Sequence, residues 1–461
     1  MRTASRWLAA SNLVLSTRPL WSLVLCGLVL SLAAALPART RPHYGGTLRI
    51  EVREPNWQDN DAVRLLVFDC LTATGTEGEA RPSLATRWQA ENGERRWVFT
   101  LRSGVVWHDG TPLVAETAAA SLEREIPGTA LEGSTIRAAG DTIIVESTRP
   151  MPELPAALAL SRYAIVRTEA GLAIGTGAFR MVSITGNRMA LAANDAYWGG
   201  RPYLDAVEIG TGRTIRDQWM DAGVRRTDVA LVPAEMLRRA QQEGLRPMIS
   251  GNSELIALVT TRSGAALDLR IRQALAATVD RPALLNFAFQ KQGEVALALL
   301  PNRLTGYAAL FAATPGMADP PGPRPTPSRA LTIGYDAADG SLQLVAERIA
   351  LNAREHGLQA SASGSGAPDF PDFIVARVPL PSPNLQIALG EFAAAVQMPF
   401  APGSGEIEEL YRGEHDMLMQ ARWIPLLYVP RAYSVAERLS GAALDESGRL
   451  DLTGAWIEEP R

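Results

Sequence analysis

Hydrophobic and polar positions alternate with period two over GGTLRIEV (Gly45 to Val52), where Leu48, Ile50 and Val52 fall on one side. The same alternation returns in RWVFTLR, where Trp97, Phe99 and Leu101 do so. Period two marks a strand with one buried face. Ser103-Gly104 then turns the chain, VVW predicts a short strand, and Asp109-Gly110-Thr111-Pro112 makes a second turn. AETAAASLERE predicts a helix that starts weakly, because Val114 stands where a Ser or Thr cap would help. From Gly175 onward, GTGAFRMVSITGNRMALAANDAYWGGRPYLDAVEI reads as two strands, an aromatic turn and a third strand. DVALVP follows as a short apolar strand, and AEMLRRAQQEG as a helix ended by Gly244.

The strongest helical period lies in DLRIRQALAATVDR (Asp268 to Arg281). Asp268 caps it, and Ile271, Ala274, Leu275, Thr278 and Val279 share one face. Asp280 caps a second helix with Pro282 in its first turn. A proline-rich stretch, PGMADPPGPRPTPSR, reads as a surface connection. Beyond it, LTIGYD predicts a strand, SLQLVAERIALNAREHG an amphipathic helix capped by Ser341 and closed by Gly357, and DFIVARV another strand. Strand, helix and strand in that order suggest a βαβ unit. IPLLYVPRAYSVAERLSG (Ile424 to Gly441) adds strands near the C-terminus. The class is α/β.

Composition narrows the function. The 461 residues, 47% of them hydrophobic, suffice for a large core divided among two or three lobes. A formal net charge of -4 gives no general attraction to nucleic acid. Arg2, Arg6 and Arg18 precede an uncharged apolar run, Leu20 to Leu36, and small residues follow it. That order predicts a secretory signal peptide over residues 1–38, cleaved after Ala35 or Ala38, with an uncleaved anchor as the alternative. Cleavage leaves Cys70 alone, so no internal disulfide is expected.

Reactive chemistry is sparse. His108 and Asp109 are adjacent, so their side chains point apart, and Asp109-Gly110 is what a tight turn requires. His43, His108, His356 and His415 are scattered, and the expectation is no metal site and no cofactor. GTGAF lacks the third glycine and the helix of a dinucleotide fingerprint. No G-x-S-x-G elbow and no P-loop occur, and no catalytic residue is assigned.

Six blocks in order carry a resemblance: GGTLRI, RPSLATRWQAENGERRWVFTLRSGVVWHDGTPLVAE, GTGAFR, NDAYWGGRPYLDAVEI, DLRIRQALAATVDRPALL and IPLLYVPRAYSVAERLSG. The chain resembles the extracellular solute-binding proteins of family 5, the peptide- and nickel-type receptors of ABC importers. The resemblance implies a periplasmic-binding-protein-like, three-lobed clamp with mixed sheets. Lobe I would take residues 45–55, 163–254 and 423–461, lobe II residues 56–162, and lobe III residues 255–422. Ligand would lie between lobes I and III. The partners implied are a small-molecule or peptide ligand and a membrane permease driven by a separate ATPase. The expected protein is a periplasmic monomer, non-enzymatic and indifferent to nucleic acid.

The same resemblance locates the cleft candidates. Asn56 and Trp57 follow the first strand, with Thr260, Thr261 and Arg377 facing them. Trp57 would supply a stacking face, and the threonines and Asn56 neutral hydrogen bonds. Otherwise Trp57 is a half-buried surface aromatic and Arg377 a solvated strand-end charge. Val259-Thr260-Thr261 stands where many members read FNT, and VPLPSP (Val378 to Pro383) where peptide-binding members carry an Asp for the ligand's amine. With no carboxylate there, the expectation is either a peptide held mainly through its backbone and apolar groups or a cargo that is not a free-amine peptide. The alternatives are an exported hydrolase, which lacks a visible nucleophile and base, and a sensor or chaperone without a transporter.

Overall fold

The computed structural model describes residues 41–75, 78–169, 172–313, 327–366, 370–400 and 406–458. The signal segment, Cys26 and most of the proline-rich stretch lie outside them. The chain divides into two compact units, Met1–Pro42 and His43–Arg461, and every element named below belongs to the second.

Among the described residues eleven strands form one mixed sheet. In chain order they are β1 (Thr47–Glu51), β2 (Phe179–Thr185), β3 (Arg188–Ala193), β4 (Ala206–Gly210), β5 (Val229–Val232), β6 (Met248–Thr260), β7 (Glu294–Val295), β8 (Leu331–Tyr335), β9 (Ala360–Gly364), β10 (Phe373–Pro379) and β11 (Trp423–Val435). They lie in the order β2-β3-β4-β1-β5-β11-β6-β10-β8-β9, with β7 against β11. β1 runs parallel to β4 and β5, and β8 parallel to β9 and β10, so each half has its own parallel core.

The two 13-residue strands β6 and β11 join the halves. β11 pairs with β5 through Ala432–Val435, and β6 enters beside it with Ile249 opposite Ala432. The β6–β11 register slips twice between Ile249 and Glu254, as bulges do where a ladder bends. β5 ends at Val232, opposite Ala432, and β10 ends at Pro379, opposite Glu254. The carboxyl ends of the parallel strands in both halves therefore face one crossing.

A second, antiparallel sheet contains Ala85–Glu91, Arg96–Leu101, Thr142–Glu146 and Thr135–Ala139, in that order. Trp97, Phe99 and Leu101 point into its core with Trp107 and Leu122. Leu48, Ile50 and Val52 are likewise buried. The helix Ala115–Glu125 begins at Val114 without a side-chain cap.

Three local expectations need correction. VVW forms no strand; only the single bridge Val106–Pro112 closes that turn. The helix Gly340–Glu355 is capped by Asp339, not Ser341: Asp339 Oδ1 accepts from Ser341 N and Leu342 N at 3.1 and 3.2 Å. That helix leads first to β9, ASASG, whose small polar residues carry no alternation of apolar positions, and DFIVARV lies as β10 on the other side of β8.

Candidate functional site

The residues that leave these strands at the crossing are charged. Arg53 follows β1, Glu235 follows β5, Asp336 and Asp339 follow β8, Arg377 lies near the end of β10, and Glu254 lies in β6 just past its bulge. Arg377 is at the centre. Its guanidinium donates to Asp339 Oδ2 at 2.7 Å, Glu235 Oε1 at 2.9 Å and Glu254 Oε2 at 3.2 Å. Arg53 reaches Asp336 and Asp339 across the same gap, at 3.3 and 3.4 Å. Arg431 lies 3.9 Å from Glu254. The Arg377 and Asp339 side chains are 7% and 1% exposed. Ligands of open α/β sheets bind outside the carboxyl ends of parallel strands, and here two such sets meet.

Burial of this depth disfavours charge, so pairing decides which groups stay ionised. Burial alone would lower the Arg377 pKa, but Glu235, Glu254 and Asp339 outweigh it and raise the pKa above its ordinary value. Burial alone would raise the Asp339 pKa, and Arg377 and Arg53 hold it below the usual carboxylate range. Glu235 Oε2 is buried without a hydrogen-bond partner among the described residues.

Of the five residues expected in the cleft, only Arg377 reaches this cluster, and it is a buried ion-pair centre rather than a solvated strand-end charge. Asn56 is exposed and accepts from Gln58 N, starting a short 3-10 turn. Trp57 is buried, its ring stacked on Phe68 with centroids 5.7 Å apart. Thr260 ends β6 and Thr261 follows it as the cap of the short helix Arg262–Ala265, on the side away from the crossing. Their hydroxyls donate to the carbonyls of Arg422 and Pro371 at 3.3 and 2.6 Å. Arg377 pairs with Ile256, four residues back along that strand, roughly 13 Å at 3.3 Å per residue.

The cluster also changes the expectation about carboxylates. VPLPSP carries none, yet three carboxylates from other segments converge on Arg377. Part of their signal was legible: Glu235 and Asp339 stand within a few residues of the end of a predicted strand, DVALVP and LTIGYD. What was not legible is that the two strand sets face each other.

The His108–Asp109 corner is structural. Gly175 N donates to His108 Nδ1 at 3.3 Å, so Nε2 carries the hydrogen and donates to Gly177 O at 3.1 Å. Burial lowers the His108 pKa and keeps the ring neutral. Asp109 turns away to accept from Thr111 N and the Thr111 hydroxyl at 3.0 and 2.7 Å. Gly110 has φ +85°, a value that L side chains rarely adopt. At Gly177 a Cβ would sit 2.5 Å from the Val67 carbonyl carbon, so this glycine serves close backbone packing. No group of three or more His, Cys, Asp and Glu among the described residues is placed to hold a metal. No helix among them is long and apolar enough to cross a membrane.

Residues 79–332 match the family model of the bacterial extracellular solute-binding proteins, family 5. The chain is 26% identical over 311 residues to a probable peptide ABC transporter periplasmic-binding protein of Sinorhizobium fredii, covering 57% of this chain and 58% of that one. It is 24% identical over 273 residues to the dipeptide-binding protein of Escherichia coli, covering 50% and 51%. These alignments span between half and three-fifths of each relative's length. In fold it resembles NikA of Staphylococcus aureus, solved with Ni(L-His)2 (TM-score 0.74, 13% identity, 89% of this chain and 100% of that one). It also resembles the oligopeptide-binding protein AppA of Bacillus subtilis, solved with a nonapeptide (TM-score 0.72, 17% identity, 91% and 100%).

Proposed function

The chain belongs to the bacterial extracellular solute-binding proteins of family 5, and from that premise we propose that it is a periplasmic receptor that closes around a peptide or related small solute and delivers it to an ABC importer. The observation that carries this reading is the ionic cluster at the crossing. Arg53 and Glu235, from the β1 side, are paired with Asp339 and Arg377, from the β8 side, so bringing the halves together makes these bonds and separating them breaks them. The bulged stretch of β6 between Ile249 and Glu254 is the hinge in this reading, since irregular ladder bends more readily than regular ladder.

Residues 45–55, 163–254 and 423–461 would then form one jaw, residues 255–422 the other, and residues 56–162 a lobe inserted in the first. Residues 1–38 would direct export. The receptor would act as a monomer with a permease and its separate ATPase, and would release its cargo unchanged. Each of the four carboxylates at the crossing already has a guanidinium partner in Arg377 or Arg53, so a ligand ammonium would compete with those ion pairs. A ligand held through its backbone and apolar groups fits this arrangement better than one anchored by a free amine.

Mass spectrometry of protein purified without denaturation identifies the bound solute. Adding that solute to stripped protein then compacts it in small-angle scattering, and the solute is recovered intact. Chemical conversion of the solute, or binding without compaction, overturns the proposal.

A further inference from the structure

Residues 56–162 leave the β1 half of the sheet after β1 and return to it before β2, yet they also touch the β8 half. The two attachments differ in kind. On the β1 half, Val63, Leu66, Phe68 and Cys70 share one core with Leu48, Ala178 and Phe179. Buried Asp69 accepts there from the Thr176 hydroxyl at 2.8 Å, from Trp198 Nε1 at 2.9 Å and from the Tyr197 hydroxyl at 3.2 Å. Parting this attachment would expose apolar surface.

The attachment to the β8 half runs through the helix Leu385–Ala395. Ala388, Leu389, Phe392 and Ala393 pack into that half's own core with Leu255, Trp423 and Tyr428. Among the described residues of this helix, only Ile387 is buried in the core that holds Leu131, Met151 and Leu154. The remaining contacts across this face are polar. Glu391 pairs with Arg162. Asn384 Nδ2 donates to Glu153 Oε2 at 2.8 Å, while Asn384 Oδ1 caps the helix by accepting from Ile387 N at 3.2 Å. Arg149 donates to the carbonyl of Phe400 at 2.8 Å. Burial raises the Glu391 pKa above its ordinary value, and Arg162 opposes it. Between the two surfaces lies an unfilled space of about 740 Å³, which a permanent core would close.

We propose that Arg162–Glu391 and Glu153–Asn384 form a latch, apart from the crossing, that holds residues 56–162 against residues 255–422 and must part when the clamp opens. The inference rests on the hinge assigned above to β6. Of the two attachments this one yields, because each of its polar groups is hydrated once parted.

The test is hydrogen exchange and small-angle scattering of the full chain as purified. Arg162→Gln leaves Glu391 buried without its cation. It should speed exchange about tenfold both in residues 149–162 and in the helix Leu385–Ala395, and enlarge the radius of gyration. Exchange in Arg96–Leu101 should not change. Glu391→Gln and Glu153→Ala should act in the same direction more weakly, and Arg162→Gln with Glu391→Gln should exchange no faster than Arg162→Gln alone. Faster exchange at an unchanged radius would make the contact a static one and overturn the proposal, as would wild-type exchange in all the variants. Expansion of the variants without compaction of the wild type by its recovered solute would keep the latch and overturn the receptor reading. Compaction by solute without expansion of the variants would do the reverse.

Discussion

Two buried carboxylates show opposite ways of keeping a polar group out of water. Asp339, at the crossing, is neutralised by charge: Arg377 and Arg53 hold it ionised and tie two halves of the sheet together. Glu414, on the helix Ile407–Met419, has neutral partners only. It accepts from Leu299 N, from Leu300 N at 2.8 Å and from the Tyr307 hydroxyl at 2.6 Å. Burial pushes Glu414 up to about 7. Charge-matched groups suit a surface that opens and closes, because each partner can be hydrated when parted. Neutral donors suit permanent packing, where the carboxyl can remain protonated.

The comparison breaks most visibly at Arg377. Arg377→Met leaves Glu235, Glu254 and Asp339 without their shared cation and should cost about 3–5 kcal/mol in urea unfolding. Arg377→Lys should restore only part of this, since one ammonium cannot present the planar fork that meets three carboxylates. A loss below about 1 kcal/mol for the Met variant would show that water, not Arg377, solvates the cluster.

The pH dependence of the two regions should be opposite. Glu414 is raised in the folded state, so its contribution is complete below about pH 4.5 and is lost as pH rises through about 7. Over that interval the loss is about 3 kcal/mol, at roughly 1.4 kcal/mol per unit. Glu414→Gln keeps the acceptor and should flatten this limb of the stability profile. Asp339 is lowered, so its contribution is present above the usual carboxylate range and is lost on acidification. Asp339→Asn should therefore remove part of the acid limb and leave the neutral limb unchanged. Chemical denaturation from pH 3 to 9 separates the two.

Ligand binding sharpens the contrast further. If Arg377 already occupies the cleft carboxylates, N-acetylation of a peptide that binds should change its affinity by less than tenfold, about 1.4 kcal/mol, in calorimetry. A strict requirement for the free amine would mean that Glu235 or Glu254 exchanges Arg377 for ligand. The smallest effect is expected at the turn. His108→Ala should leave ligand affinity within about tenfold, because among the described residues the His108 ring bonds only to the carbonyl of Gly177 and the amide of Gly175.

Local pattern carried much of the fold. Asp268 and Asp280 cap their helices as their spacing implied, with bonds to Arg270 N at 2.7 Å and Ala283 N at 3.0 Å. β6 escaped because MISGNSELIALVT begins with polar and small residues and becomes continuously apolar only where it is buried on both faces. Thr260 and Thr261 were misplaced relative to Arg377 because position along a strand, not closeness in a motif, sets which side chains meet.

The sequence by itself determined the α/β class, most of the local elements and the family, because period, caps and ordered motifs act within a few residues of one another. It also determined that the His108 corner is a turn, since neighbouring side chains on extended chain cannot converge. The tertiary structure alone decided that Arg53, Glu235, Glu254, Asp339 and Arg377 share one buried cluster. Those residues span more than 300 positions of the chain. They meet only because two parallel strand sets, joined by β6 and β11, present their carboxyl ends to each other, and the Coulomb attraction that stabilises the cluster acts only at the short distances this crossing creates.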